Sequence, residues 1–253
     1  MSALPHFSAF QWLLAFIAAI SIGIAKSGFG GLGMVTVLLM AEIMPAREST
    51  GVVLPLLIFG DVLAVGAFRR HTQWRYIVRM LLPAALGIVI GYFLMAQKIP
   101  DRVFRLLIGL IILALATMQF FRKTRPDKSE RVPHRPCFAS LTGIAAGATT
   151  MLANAAGPIM SLYLLAANLP KWEFVGTAAM FFLVVNLVKV PFSAHLGLIN
   201  GSSLSFNVAL FPAVALGIYL GRALLKRIPQ NAFEQIVLIF TALASARLII
   251  QSL

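Results

Sequence analysis

Pro45-Ala-Arg-Glu-Ser-Thr-Gly-Val-Val-Leu-Pro-Leu-Leu-Ile-Phe-Gly-Asp61 decides the fold, because a second version of it stands at Pro170-Lys-Trp-Glu-Phe-Val-Gly-Thr-Ala-Ala-Met-Phe-Phe-Leu-Val-Val-Asn186. At this shift of 125 residues Pro45 falls on Pro170, Gly51 on Gly176 and Asp61 on Asn186. After a four-residue slip the match resumes, with Pro83 on Pro212, Pro100 on Pro229 and Phe104 on Phe233. A chain that is 60% hydrophobic and repeats itself in this way suggests two membrane-embedded halves facing each other across a shared site, the plan of many secondary transporters.

Composition supports the membrane reading. Only 11% of the residues are Asp, Glu, Lys or Arg and the mean hydropathy is +0.91, too apolar for a soluble domain of 253 residues. The first apolar run does not read as a signal peptide: residues 1 to 7 carry no Lys or Arg, and a glycine-rich stretch leads straight into further apolar sequence. The net charge of +13 lies mostly in short loops, where it sets membrane orientation, so no nucleic-acid partner is expected. The single cysteine, Cys137, excludes an internal disulfide and a Cys-rich metal site. No pair of histidines among His6, His71, His134 and His195 has metal-ligand spacing, and no cofactor or metal is indicated.

Apolar runs are expected near residues 8–26, 30–44, 49–67, 76–96 and 102–121, and again near 138–150, 155–168, 173–192, 204–221 and 230–250. The domains read as a first membrane repeat over 1–121, a basic cytoplasmic linker over 122–136 and a second repeat over 137–253. In each half the first two segments are interrupted, at Lys26-Ser-Gly-Phe-Gly-Gly31 and at Met151-Leu-Ala-Asn-Ala-Ala-Gly-Pro158. They read either as spans or as the half-helices of a re-entrant hairpin, which membrane depth tolerates only where protein or a polar cavity surrounds it. Five spans per half, or three spans plus a hairpin, are both odd, so the halves insert in opposite directions. One broken span in their place would hold about 37 residues at 1.5 Å each, far beyond a ~30 Å core.

Charge supports the inversion. With the N-terminus outside, the inner loops hold Arg69, Arg70, Arg75 and Arg79, the linker cations from Arg122 to Arg135, Lys171, and Arg222, Lys226 and Arg227. The outer side holds only Arg47, Lys98, Arg102, Arg105 and Arg247. The fold class is therefore an all-α polytopic membrane protein, two inverted repeats whose broken or re-entrant helices meet at a central site. Trp12, Trp74 and Trp172 read as interfacial anchors.

Ionisable groups within apolar segments are costly, about 2.5–3.5 kcal/mol for a centred charge, and so mark function. Three qualify: Lys26, Asp61 and Lys189. Lys26 adjoins Ser27, Gly28, Gly30 and Gly31, where exposed backbone amides beside a cation would hold an anion. The alternative is that Lys26 snorkels and the glycines only permit close packing. In the second break Asn154, Gly157 and Pro158 would clamp a substrate from the other side, or Asn154 caps a kinked helix. Ser27, Thr149 and Thr150 are weaker candidates, because such hydroxyls often bond back to their own helix. Asp61, Asn186 and Lys189 form the coupling or ion-pair set: Asp61 is expected to neutralise Lys189 across the pseudo-twofold, either as a static pair or as a proton-coupling group.

Ile24-Ala-Lys-Ser-Gly-Phe-Gly-Gly-Leu-Gly33, followed by Met44-Pro45 and Thr50-Gly51, is similar to the first module of the TauE/SafE family of sulfite and organosulfonate exporters. Ala153-Asn-Ala-Ala-Gly-Pro-Ile-Met-Ser-Leu-Tyr-Leu-Leu165, then Leu169-Pro170, resembles its second module. Leu32 interrupts the glycine run, and Thr36 stands where a proline is frequent. The resemblance implies export of a small sulfur oxyanion or sulfonate across the bacterial inner membrane by a multi-pass protein that is not an enzyme. The implied partners are a small anionic substrate, a coupling proton or other ion, and the lipid bilayer, with the oligomeric state left open. No P-loop is present, which favours an ion gradient over ATP. An anion channel, or an importer of another oxyanion such as thiosulfate or a carboxylate, is the alternative.

Overall fold

The computed structural model describes residues 7–97, 136–199 and 201–250. The apolar segment 102–121, the linker 122–135, and His6, Lys98, Arg102, Arg105 and His134 lie outside them. The described residues form helices α1 (Ala9–Lys26), α2 (Gly33–Ala41), α3 (Ala46–Phe68), α4 (Trp74–Ala96), α5 (Pro136–Ala153), α6 (Ala156–Ala166), α7 (Lys171–His195), α8 (Gly201–Arg227) and α9 (Gln230–Ile250). Short 3₁₀ turns at Gly30–Leu32 and Arg69–His71 complete the set. Six of these helices, α1, α3, α4, α5, α7 and α8, are long and apolar enough to cross a membrane.

Local sequence explains where the helices start and stop. Ser8 and Gln11 cap α1 reciprocally: Gln11 N–H donates to Ser8 Oγ at 3.2 Å, and Ser8 N–H donates to Gln11 Oε1 at 2.9 Å. Pro45 and Pro170 immediately precede α3 and α7, their fixed φ leading the chain into each first turn. Asn154, Asn168 and Gly197 take left-handed φ values of 52°, 51° and 70° just past α5, α6 and α7, where orphan carbonyls must be closed off. Several segments run longer than their apolar cores suggest: α5 covers 136–153 rather than 138–150, α7 covers 171–195 rather than 173–192, and α8 covers 201–227 rather than 204–221. Charged residues such as Lys171, Arg222, Lys226 and Arg227 carry the helices past the apolar limit, since hydrogen bonding continues where the apolar pattern ends.

The segments at 30–44 and 155–168 are too short to cross. Each turns back beside its predecessor: Thr36 Oγ1 donates to Ala18 O at 3.2 Å, and Tyr163 stacks on Phe138 with centroids 5.8 Å apart. Helices α1–α2 and α5–α6 are therefore antiparallel hairpins.

The most extensive helix contacts are α4 with α5 and α1 with α8, followed by α3 with α7. Glycines allow the first two. A Cβ at Gly147 would overlap the Ala84 carbonyl, and one at Gly217 would overlap that of Ile20, so the backbones approach as only small residues permit. Helices α3 and α7 run antiparallel: Gly51 packs on Leu198, Asp61 bonds Asn186, and Gly176 packs on the Phe68 carbonyl. Helix α1 thus leans on α8 and α5 on α4, and the stretches 45–61 and 170–186 lie side by side in opposite directions.

The basic residues around 69–79, Lys171 and 222–227 share one end. There Trp172 lies 6.1 Å from both Phe68 and His71, and the Arg222 guanidinium lies 5.9 Å from the Phe68 ring.

Candidate functional site

Lys26 ends α1 because the chain must break at Gly28, whose φ of +109° is a left-handed conformation open to glycine. Its ammonium therefore points from a helix terminus into the protein, and its side chain is only 9% exposed. Nζ lies 2.7 Å from Asp61 Oδ1 and 4.7 Å from the Phe182 ring centroid. Asp61, fully buried in α3, accepts at its other oxygen from Asn186 Nδ2 at 2.7 Å.

Residues Phe182, Asn186 and Lys189 occupy one face of α7 at i, i+4 and i+7. Lys189, buried to 1% exposure, reaches the other break. It donates to Thr150 O at 2.7 Å, Thr150 Oγ1 at 3.3 Å and Asn154 Oδ1 at 2.5 Å, three acceptors for the three donors of an ammonium. Asn154 in turn donates from Nδ2 to Thr50 O at 3.0 Å, tying the second break to the start of α3.

The expected Asp61–Lys189 pair is not what forms. Asp61 pairs with Lys26 and Asn186, and Lys189 is held by neutral oxygens. The reason is register: the Asp61–Asn186 contact between antiparallel helices puts Lys189 one turn further along α7, toward Asn154, while α1 delivers Lys26 to the carboxylate. The buried cluster consequently holds two lysines and one carboxylate.

The two breaks touch. A Cβ at Gly157 would lie 2.6 Å from Gly30 O, and one at Gly30 would lie 2.9 Å from Ser161 Oγ and 3.2 Å from Gly157 O. The 3₁₀ turn leading into α2 and the start of α6 both lack a side-chain cap. The two helix starts therefore come together at this junction with no side chain capping either. Pro158 is the third residue of α6, still within the first turn, where its missing N–H removes no helix bond.

The remaining first-break residues pack closely. Gly28 abuts Val175 and Phe233, and a Cβ at Gly31 would overlap the backbone of Phe240. Ser27 Oγ donates to Gly23 O and to Ile218 O, each at 3.3 Å. Thr149 bonds back to Ala146 O at 3.2 Å, whereas Thr150 turns to Lys189. Asn154 does not cap α6; its side chain spans Lys189 and Thr50. Sequence reading missed Phe182, although its i, i+4 relation to Asn186 could have disclosed it. The backbone carbonyls of Thr50 and Thr150 leave no sequence signal. Among the described residues Asn186 Oδ1 is buried without a hydrogen-bond partner.

No curated protein and no solved structure matches the chain. The family model described as sulfite exporter TauE/SafE matches residues 14–248, and with six apolar helices among the described residues this chain is a multi-pass membrane transport protein belonging to that family.

Proposed function

We propose that the protein is a secondary transporter of the bacterial inner membrane that exports a small sulfur oxyanion, sulfite or an organosulfonate, by alternating access driven by an ion gradient. Two inverted repeats move against each other, and the hairpins α1–α2 and α5–α6 are re-entrant. The antiparallel packing of α3 on α7, which carry the two copies of one sequence stretch, supports the inversion. The exchanged contacts of α1 with α8 and of α4 with α5 support a twofold relation between the halves.

The observation that carries the substrate class is the charge of the buried cluster. Lys26 is offset by Asp61, while Lys189 faces only neutral oxygens beside two uncapped helix starts. A small anion is the ligand that completes such a set, and it does so where low dielectric strengthens each interaction. Lys26, Ser27, Gly28, Gly30, Gly31, Asn154, Gly157 and Pro158 form or shape the binding junction; Asp61, Asn186 and Lys189 form the coupling set.

The test is sulfite counterflow in proteoliposomes. Lys26→Ala, Asn154→Ala and Lys189→Gln are each expected to reduce saturable sulfite exchange at least tenfold. Exchange unchanged by all three would remove the site assignment. Non-saturating flux without counterflow would replace the transporter with a channel.

A further inference from the structure

Arg69, Arg70, His71 and Arg222 line a pocket of about 380 Å³ together with Gly66 and Ala67. The pocket shares helix α3 with the buried cluster. Gly66 follows Asp61 by five residues on the same helix, a rise of about 7.5 Å. Arg222 follows Gly221, which packs against Ser27 next to Lys26, a Cβ there lying 2.6 Å from Ser27 Cβ.

Its cations are exposed yet held on fixed backbone. The turn carrying Arg69 and Arg70 is pinned to α7 by Thr72 Oγ1 donating to Gly176 O at 3.2 Å and Gln73 N–H donating to Thr177 Oγ1 at 3.0 Å. Arg222 lies over the Phe68 ring. Among the described residues none of the three arginines forms an ion pair. Guanidinium forks without carboxylate partners suit oxyanions, and the volume falls in the range of small-ligand sites.

We infer that this pocket is an anion-collecting vestibule, a second site that captures the small oxyanion at the basic end of the protein before it reaches the junction of the two breaks. The inference rests on the transport reading above. A basic mouth raises the local anion concentration and the rate of encounter, and salt weakens both.

The test compares wild type with an R69Q/R70Q/R222Q variant and with the charge-preserving R69K/R70K/R222K variant, using sulfite flux in membrane vesicles of both orientations. From the face bearing the vestibule, at low ionic strength, the glutamine variant is expected to raise KM about tenfold with kcat changed less than twofold. The lysine variant should stay within about threefold of wild type, and the difference should shrink at high salt. A KM that is unchanged, or raised equally from both faces, overturns the vestibule. So does an effect present only in proteoliposomes containing phosphatidylglycerol and absent in pure phosphatidylcholine, which would assign the arginines to lipid headgroups. Should wild type carry no sulfite, the transport reading falls. The pocket is then judged by sulfite binding to the detergent-purified protein, where weaker binding by the glutamine variant upholds it and equal binding overturns it.

Discussion

Replacing Asp61 with Asn removes the single carboxylate of the buried cluster and leaves Lys26 and Lys189 to repel each other in a nearly dry space. The ion pair spans 2.7 Å, so its gross attraction is about 6 kcal/mol at an effective dielectric of 20. Much of that offsets desolvation, yet stranding one charge costs more than losing both, about 3–5 kcal/mol for a single partner. For a chain of this size each kcal/mol moves Tm by roughly 2–4 °C, so Asp61→Asn should lower the midpoint in detergent by about 6–20 °C. Lys26→Gln should do the same by stranding the carboxylate. The K26Q/D61N double variant strands neither, and it should lose less than either single variant, giving a coupling energy of at least about 3 kcal/mol. The assay is thermal unfolding at one fixed scan rate for all four proteins, so that their midpoints are comparable. Single variants that melt within about 2 °C of wild type, or a double variant whose loss equals the sum of the two, would refute the reasoning.

Asn154→Gly keeps the left-handed backbone at φ 52° and removes the side chain that joins Lys189 to Thr50; it should lower Tm modestly and lose sulfite exchange, whereas Asn154→Ala should add strain of about 1 kcal/mol, read as a still lower Tm. Gly147→Ala should destabilise by about 1–3 kcal/mol because its methyl meets the Ala84 carbonyl, while Gly33→Ala, with open space at its Cβ, should stay within about 0.5 kcal/mol of wild type in the same melting assay. Cys137 is exposed at the end of α5 shared with Tyr163 and Tyr76, the basic end. An impermeant maleimide should therefore label it in inverted membrane vesicles and not in right-side-out ones; the opposite pattern would reverse the proposed orientation.

Much of the fold was legible because membrane helices declare themselves by composition. Apolar run length located the helices to within a few residues at most ends, and Pro45, Pro170 and the two small-residue breaks marked where they begin or fail. Three ionisable residues in apolar surroundings, Lys26, Asp61 and Lys189, stood out by their cost alone, and Lys26 and Asp61 do meet as a buried ion pair. The duplicated stretch set Asp61 against Asn186, and these two side chains do bond each other.

Partnership is what the tertiary structure decided. Linear spacing put Lys189 one turn from Asn186 but carried no information on which cation would reach Asp61. That depended on α1 stopping at Lys26 and on the antiparallel register of α3 and α7, both properties of packing between segments far apart in the chain. Packing also decided that α2 lies against α1 and α6 against α5, and that the glycines of the first break make close contact with Gly157, Val175 and Phe240. Sequence by itself determined which residues had to be buried, through the free energy of removing each from water; only the assembled helices determined whom each meets, because hydrogen bonds and ion pairs act over a few ångströms that chain position does not measure.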